Sequence, residues 1–332
     1  MSDGEDYTIG CICAIVDEAV ALRSFFDQTH VSPDTASGKR YTTGTIYNHK
    51  VVIARLPSGS YGISDATNVA VHMASDFPNI RFCMMVGIGG GVPNPSKHNR
   101  DIRLGDIVVS SPANGTGGVI QYDHGKAIQD QPFHDTQHLN RPPDALLDVL
   151  SILAEDYQLA GHNLQNMVKD VLDKNPRLLQ QGFQRPDENS DRLYKSDYVH
   201  QVGAEGSCST LCGDSTEHLV PRTLREARLD DPMIYRGIIG SGSRVVKDAK
   251  FRDSLAKEKD VLCFEMEAAG VMNRLPCLVI RGIYNYSDSH KNDHWKRYAA
   301  MMAAAYATEI LRVLQPQAVA AERKLGDALK GQ

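Results

Sequence analysis

Apolar residues fall along this chain in two rhythms. Near-continuous runs at 8–15, 81–86, 233–239, 261–264 and 277–283 have strand length and are rich in Val, Ile and Cys. Runs of that kind mark strands buried on both faces. The second rhythm is helical. Ala66, Val69, Ala70 and Met73 stand at i, i+3, i+4 and i+7, which predicts a helix over 64–76 closed by Pro78. Asp17 and Glu18 precede a stripe of Ala19, Val20, Leu22, Phe25 and Phe26, a second amphipathic helix. Runs at 41–46 and 51–56 flank four turn residues and read as a hairpin. Short strands are expected at 106–110 and 119–122. Pro142 and Pro143 open a helix over 144–158, and another is expected over 164–179. Residues 182–228 read mostly as loop. Asn292 or Asp293 starts a long Ala-rich helix that ends near Leu314. Strands and helices alternate with one hairpin, which predicts an α/β fold: a three-layer α/β/α sandwich around a central mixed, twisted sheet. We expect a single domain over 1–314, with 315–332 as a polar, frayed tail or truncated linker.

The 332 residues carry a net charge of −5 and no long basic run, so nucleic acid is not an expected partner. No apolar run reaches membrane-spanning length, and the start MSDGEDY is not a signal peptide. A cytoplasmic protein is expected. Cys11, Cys13, Cys83, Cys263 and Cys277 sit inside apolar runs, as buried thiols of a reducing compartment do. Cys208 and Cys212 form C-x-x-x-C, with His200 and His218 nearby. No second pair with convincing zinc spacing accompanies them; the nearby histidines leave a metal site open, but the expectation is neither metal nor cofactor.

The candidate chemistry gathers between 261 and 288. Glu265 and Glu267 flank Met266 at the end of one apolar run, and Asn285 and Asp288 stand just past the next. In open α/β sheets ligands bind at the carboxyl ends of strands, so the two ends could face one pocket. The plainer reading is that Glu at a helix start offsets the macrodipole. The 81–86 strand runs into Gly87-Ile88-Gly89-Gly90-Gly91, which suggests close backbone approach to a ligand or a simple glycine turn. It is no dinucleotide fingerprint, because position 92 is Val92 and Pro93 blocks a helix; no Gly-Lys-Ser/Thr of a P-loop follows either.

Taken together, CAIVDEAVAL at 13–22, VGIGGGVP at 86–93, DIRLGDIVVS at 101–110, VIQYDHGK at 119–126, GIIGSGSRVVKDAKFRD at 237–253, LCFEMEAAG at 262–270 and RGIYNYSDSHKN at 281–292 resemble the purine nucleoside phosphorylase and nucleosidase superfamily. They look most like the versions at the N-termini of fungal NLR-type immune receptors. The resemblance implies cleavage of a purine N-glycosidic bond, a homo-oligomer, a purine nucleoside or nucleotide as partner, and one domain of a larger receptor.

It also implies roles. Glu267 would hold the ribose hydroxyls with Glu265 beside it, and Met266 would pack on the sugar. Gly89 and Gly90 would line the base or sugar, and Val245 and Val246 the purine. Arg244 and Lys247 are the cations nearest a 5′-phosphate, or simply a solvated helix face. Phosphorylases of this group grip phosphate with arginines and a hydroxyl; here AIVDEA has no arginine, Met85 precedes Val86, and the hydroxyl position is Ile88. The cradle therefore reads as apolar and uncharged, and Glu18 would repel a dianion. Glu18 matches the position where nucleosidases activate water. Hydrolysis is favoured over phosphorolysis. One departure stands out: Asn285 occupies the position of an Asp that protonates the departing purine. An amide donates a hydrogen bond but no catalytic proton. That leaves an inactivating change, substitution by Asp288, a slow or merely binding protein, or altered base choice.

Overall fold

The computed structural model describes residues 4–330 except 98–99, 127, 131–133, 201–207, 224, 226–230 and 292. The first half runs β1 (Ile9–Cys13), α1 (Val16–Arg23), β2 (Gln28–His30), β3 (Thr42–Ile46), β4 (His49–Arg55), α2 (Ile63–Asp76), β5 (Phe82–Gly91), β6 (Ile107–Ser110) and β7 (Val119–Gln121). A small pair, β8 (Gly125–Lys126) and β9 (His134–Asp135), precedes α3 (Asp144–Ala160), α4 (Leu164–Lys174), α5 (Pro176–Gln180) and α6 (Cys208–Leu211). Then come β10 (Ile234–Ser241), α7 (Ala249–Lys259), β11 (Val261–Glu265), α8 (Ala268–Met272), β12 (Cys277–Asn285), α9 (Lys296–Val313), α10 (Pro316–Ala321) and α11 (Leu325–Lys330).

The architecture is the expected α/β sandwich around a mixed, twisted sheet. Its strand order is β11-β10-β6-β12-β5-β1-β4-β3-β2, with β7 added beside β10. The buried runs are the parallel members: β1 pairs β4 and β5 in parallel, and β5 pairs β12 the same way. The apolar stripe of α9 covers β12 and β5, alongside α1, α3 and α4. A second group, α2 with α8 and α11, packs against β1 and β4 through α2. At its other end β11 curls round to pair antiparallel with β5, so that Phe264 lies opposite Gly90. That closure brings the ends of β5, β11 and β12 together.

Four expectations need correcting. Gly87 to Gly91 form neither a turn nor a loop; they continue β5 as an extended strand. Ile88 apart, side chains are absent there, and at Gly87 and Gly90 neighbours occupy the space. A Cβ at Gly87 would strike Arg281 and Glu18, and one at Gly90 would strike Ser287. The helix expected over 164–179 is broken at Asn175, where Pro176 starts α5, since proline cannot donate the next helical hydrogen bond. The long helix starts at Lys296 rather than at Asp293, and Asn292 lies outside the described residues. Residues 316–330 are not frayed: Val319 and Leu325 are buried in the main core, and the Leu325 amide donates to the Ile80 carbonyl at 2.8 Å. Residues 331–332 lie outside the described residues. No helix among the described residues is long and apolar enough to cross a membrane.

Candidate functional site

β5 is the spine of the site. On one side it pairs with β1, whose end leads into α1 and Glu18; on the other it pairs with β12, with Asn285 opposite Gly90. The antiparallel contact with β11 delivers Glu265 and Glu267.

Glu18 is buried at the third position of α1. Its Oε2 accepts from the amides of Ala14 at 2.6 Å and Ile15 at 3.1 Å, and its Oε1 accepts from the Ile88 amide at 2.9 Å. The first two contacts are the plain helix-start reading made real. The third ties Glu18 to the glycine strand. A carboxylate offers about four lone-pair directions, so one remains for a substrate or water. Burial pushes the Glu18 carboxyl above its ordinary range, against the lowering pull of Arg281 and these amides.

Arg281, which the sequence reading passed over, is fully buried in β12. It donates through Nη2 to Glu265 Oε2, and both side chains are 1% exposed. Its guanidinium also lies against Gly87 beside Glu18. The cradle is therefore not uncharged, which corrects the sequence expectation. A signal existed: a charged residue inside VIRGI is buried on both faces and must find a partner. One guanidinium nonetheless faces three carboxylates, Glu18, Glu265 and Glu267. A phosphate dianion gains little from such a balance.

The two glutamates after β11 divide their work. Glu265 Oε2 accepts from Ala268 N at 2.9 Å and Glu267 N at 3.1 Å as well as from Arg281, while Oε1 takes Ala268 N at 3.2 Å. That residue holds the strand-to-helix turn and has little left for a ribose. Glu267 is held more loosely, by Gly62 N on Oε1 and Met266 N on Oε2, both at 3.3 Å. Burial first, then the charge of Glu265, pushes its carboxyl up to about 7. Met266 beside it is partly exposed.

Asn285 is buried at the end of β12, and its Oδ1 accepts from the Ser287 amide at 2.8 Å. With the oxygen engaged, the amide nitrogen, which also reaches Tyr284, has one hydrogen left for a ligand. Tyr284 hydrogen-bonds to Asn285 and feels the charge of Glu18, which links the two ends of the site. Asp288 is engaged with its own loop: its Oδ1 accepts from His290 N at 2.9 Å, as a loop anchor does. A cavity of about 310 Å³ opens on Asn285 and Asp288, walled by Tyr284, Tyr194, Cys208 and His290; Glu265 and Glu267 are not in its walls. The strand ends thus converge on β5, with the two glutamates outside the walls of this cavity.

The remaining candidates surround this centre. Gly89 packs under the Phe264 carbonyl and Arg281. Val246 joins a small apolar cluster with Val92, Tyr122 and Phe264, while Val245 is half exposed. Arg244 lies with its guanidinium 5.6 Å from the centre of the Phe251 ring, and Lys247 is exposed. His218 stacks on Tyr198 at 3.9 Å, away from the cysteines; His290 takes the place beside them that the sequence reading gave it.

The phosphorylase superfamily model matches residues 8–314. A nucleotide-binding leucine-rich repeat (NLR)-like protein of Hyaloscypha variabilis is 41% identical over 323 residues; the match takes in 96% of this chain and 30% of that protein. The chain thus spans about three-tenths of that relative's length. Among solved structures, the futalosine hydrolase of Helicobacter pylori superposes with a TM-score of 0.56 at 15% identity, covering 93% of this chain and 99% of that one. The 5′-methylthioadenosine/S-adenosylhomocysteine nucleosidase of the same organism gives 0.55 at 14% identity, covering 92% and 98%. At these identities the structural matches establish the fold.

Proposed function

This chain belongs to the phosphorylase superfamily, and from that premise we propose that it is a purine N-glycosidase whose nucleophile is water. The observation that carries the reading is Glu18: a buried carboxylate fixed on three backbone amides beside the glycine strand, with one lone-pair direction to spare. In its ionised form it takes a proton from water as that water attacks the anomeric carbon. Arg281 favours that ionised form, against the burial that pushes the Glu18 carboxyl up. Glu267 accepts from the ribose hydroxyls, and its negative charge favours the oxocarbenium ion that forms as the base leaves. Asn285 presents its amide nitrogen to N7 of the purine. It holds the leaving group but gives it no proton, so turnover is slow. Val246 and the half-exposed Val245 supply an apolar contact for the base. Arg244 and Lys247 are the cations available to a 5′-phosphate, and replacing both by Ala should then weaken ATP more than adenosine.

The NLR-like name of the relative supports reading the chain as one unit of a larger immune receptor, in which base release or nucleotide binding is the signal. Asn285 also supports a second reading, a nucleotide sensor that binds without turning over. The deciding experiment follows base release from adenosine, AMP and ATP with and without phosphate. Release independent of phosphate, with free ribose or its phosphate esters as product, is expected. A strict phosphate requirement with ribose 1-phosphate as product would overturn the hydrolase in favour of a phosphorylase. Tight binding without turnover, in this chain and in Asn285→Asp alike, would leave the sensor.

A further inference from the structure

We propose that His200, Cys208, Cys212 and His290 form a tetrahedral site for one structural Zn²⁺ ion. One ligand atom from each of the four lies within 4.8 Å of all the others. His200 Nδ1 stands 3.1 Å from Cys212 Sγ and 3.4 Å from Cys208 Sγ, and Cys208 Sγ stands 3.8 Å from His290 Nδ1. With Zn–S near 2.3 Å and Zn–N near 2.05 Å, the N···S edge of a regular tetrahedron is about 3.6 Å. The three observed edges bracket that value.

Local structure supplies the arrangement. Cys208 and Cys212 are four residues apart, and the Cys212 amide donates to the Cys208 carbonyl at 3.0 Å. That helical turn puts both thiols on one side. His290 is oriented from behind: its Nε2 lies 3.0 Å from the Tyr198 carbonyl, so Nε2 carries the hydrogen and Nδ1 turns its lone pair to the cysteines. An outer hydrogen bond of this kind is what metal-bound imidazoles have. The ring is clamped further by stacking on Tyr194 with centroids 4.0 Å apart.

Two thiolates and two neutral imidazoles select a borderline-soft, tetrahedral ion, which is zinc rather than magnesium or calcium. On binding, each thiol gives its proton to solvent, so two protons leave per ion and the site ends neutral. Spacing alone did not reveal the site, because its fourth ligand comes from the loop between β12 and α9, 78 residues beyond Cys212. That loop follows Asn285 directly and carries Asp288, and Cys208 and His290 wall the cavity on which both open. The ion therefore pins His200 and the Cys208–Cys212 turn at the end of the site where the purine is proposed to sit; this consequence rests on the N-glycosidase reading, whereas the metal site does not.

The test uses the whole chain. Protein purified in reducing buffer is stripped with a chelator and titrated with Zn²⁺ and, separately, Co²⁺, with metal content read by mass spectrometry. Uptake of one equivalent is expected, and cobalt should show the visible bands of a tetrahedral site with thiolate charge transfer. Cys208→Ser and His290→Ala should lose the ion, and His218→Ala should keep it. No stoichiometric uptake by the unmutated chain would overturn the proposal, as would a Cys208–Cys212 disulfide that persists in reducing buffer. Uptake undiminished in both ligand variants would overturn the assignment of ligands. Base release plays no part in these readouts, so failure of the enzymatic reading leaves them intact.

Discussion

Glu18 and Arg281 meet beside Gly87, in the space a side chain there would fill, and either neighbour would collide with one. Arg281 also donates to Glu265, so one guanidinium joins a group at the end of β1 to another at the end of β11. Removing one partner of a buried ion pair costs about 3–5 kcal/mol, since the other is left uncompensated. Arg281→Met should therefore lower the unfolding free energy by about that much. Arg281→Met with Glu265→Gln should recover a large part of the loss. Denaturant unfolding of the three variants checks this; equal stabilities for the single and double variants would mean that the pair is not coupled.

Glu267 makes stability and ligand binding move in opposite directions with pH. Its carboxyl is raised in the folded state to about 7 from 4.5. The folded protein therefore binds the proton more tightly than the unfolded chain does. The stabilising effect of that proton is complete below pH 4.5 and is lost as pH rises through 7. The magnitude is on the order of 3 kcal/mol. The melting temperature should fall across that window, and Glu267→Gln should flatten the fall. Affinity for the ribose hydroxyls should rise across the same window, because the ionised form is the acceptor. Parallel melting curves for both proteins from pH 5 to 8 would remove Glu267 as the cause.

Much of this was legible beforehand, for physical reasons that differ from residue to residue. The buried parallel strands announce themselves as unbroken apolar runs, and α2 by its 3.6-residue period. Glu18, Glu267 and Asn285 were visible because polar groups at the ends of such runs are conspicuous. Arg281 was hidden by its surroundings: nothing in the sequence names its partner, and Glu265 is 16 residues away. The glycines of β5 leave ligand approach and a turn both open in the sequence, because conformational freedom and lack of room leave the same residue behind. The stop at Pro176 was written in the sequence and was outweighed by the apolar period around it. The order of 316–330 is not legible because its few large apolar residues, Val319 and Leu325 among them, stand among charged and small ones, and only the fold shows that they join the main core, with the Leu325 amide on the Ile80 carbonyl.

Gly90 carries the geometry of the base end. A Cβ there would meet Asn285 Oδ1 at 2.7 Å and collide with the Ser287 hydroxyl. Gly90→Ala should push the 285–287 turn away from β5. A misplacement of about 1 Å at a reacting group costs ~10²-fold in rate, so kcat should fall by about that much. Overpacking of this kind costs about 1–3 kcal/mol of stability, which leaves the chain folded. Kinetics and unfolding measured together distinguish the two: loss of activity only in step with loss of fold would show that Gly90 has no particular role at the site.

The sharpest test concerns Asn285. Where its amide now faces the base, a protonated carboxyl could deliver the proton that the departing purine needs. Asn285→Asp should raise the rate of purine release by ~10²–10⁴-fold, the usual worth of a positioned general acid. The gain should fade as pH rises above the pKa of the new carboxyl, because only its protonated form donates. Glu18→Gln in that background should remove most of the gain, since water activation and leaving-group protonation serve one transition state and are not additive. Asp288→Asn should matter far less, because Asp288 Oδ1 already accepts from the His290 amide and serves the loop. If Asn285→Asp changes nothing while Asp288→Asn abolishes an existing activity, the acid is Asp288, and the turn from 285 to 290 must rearrange when substrate binds.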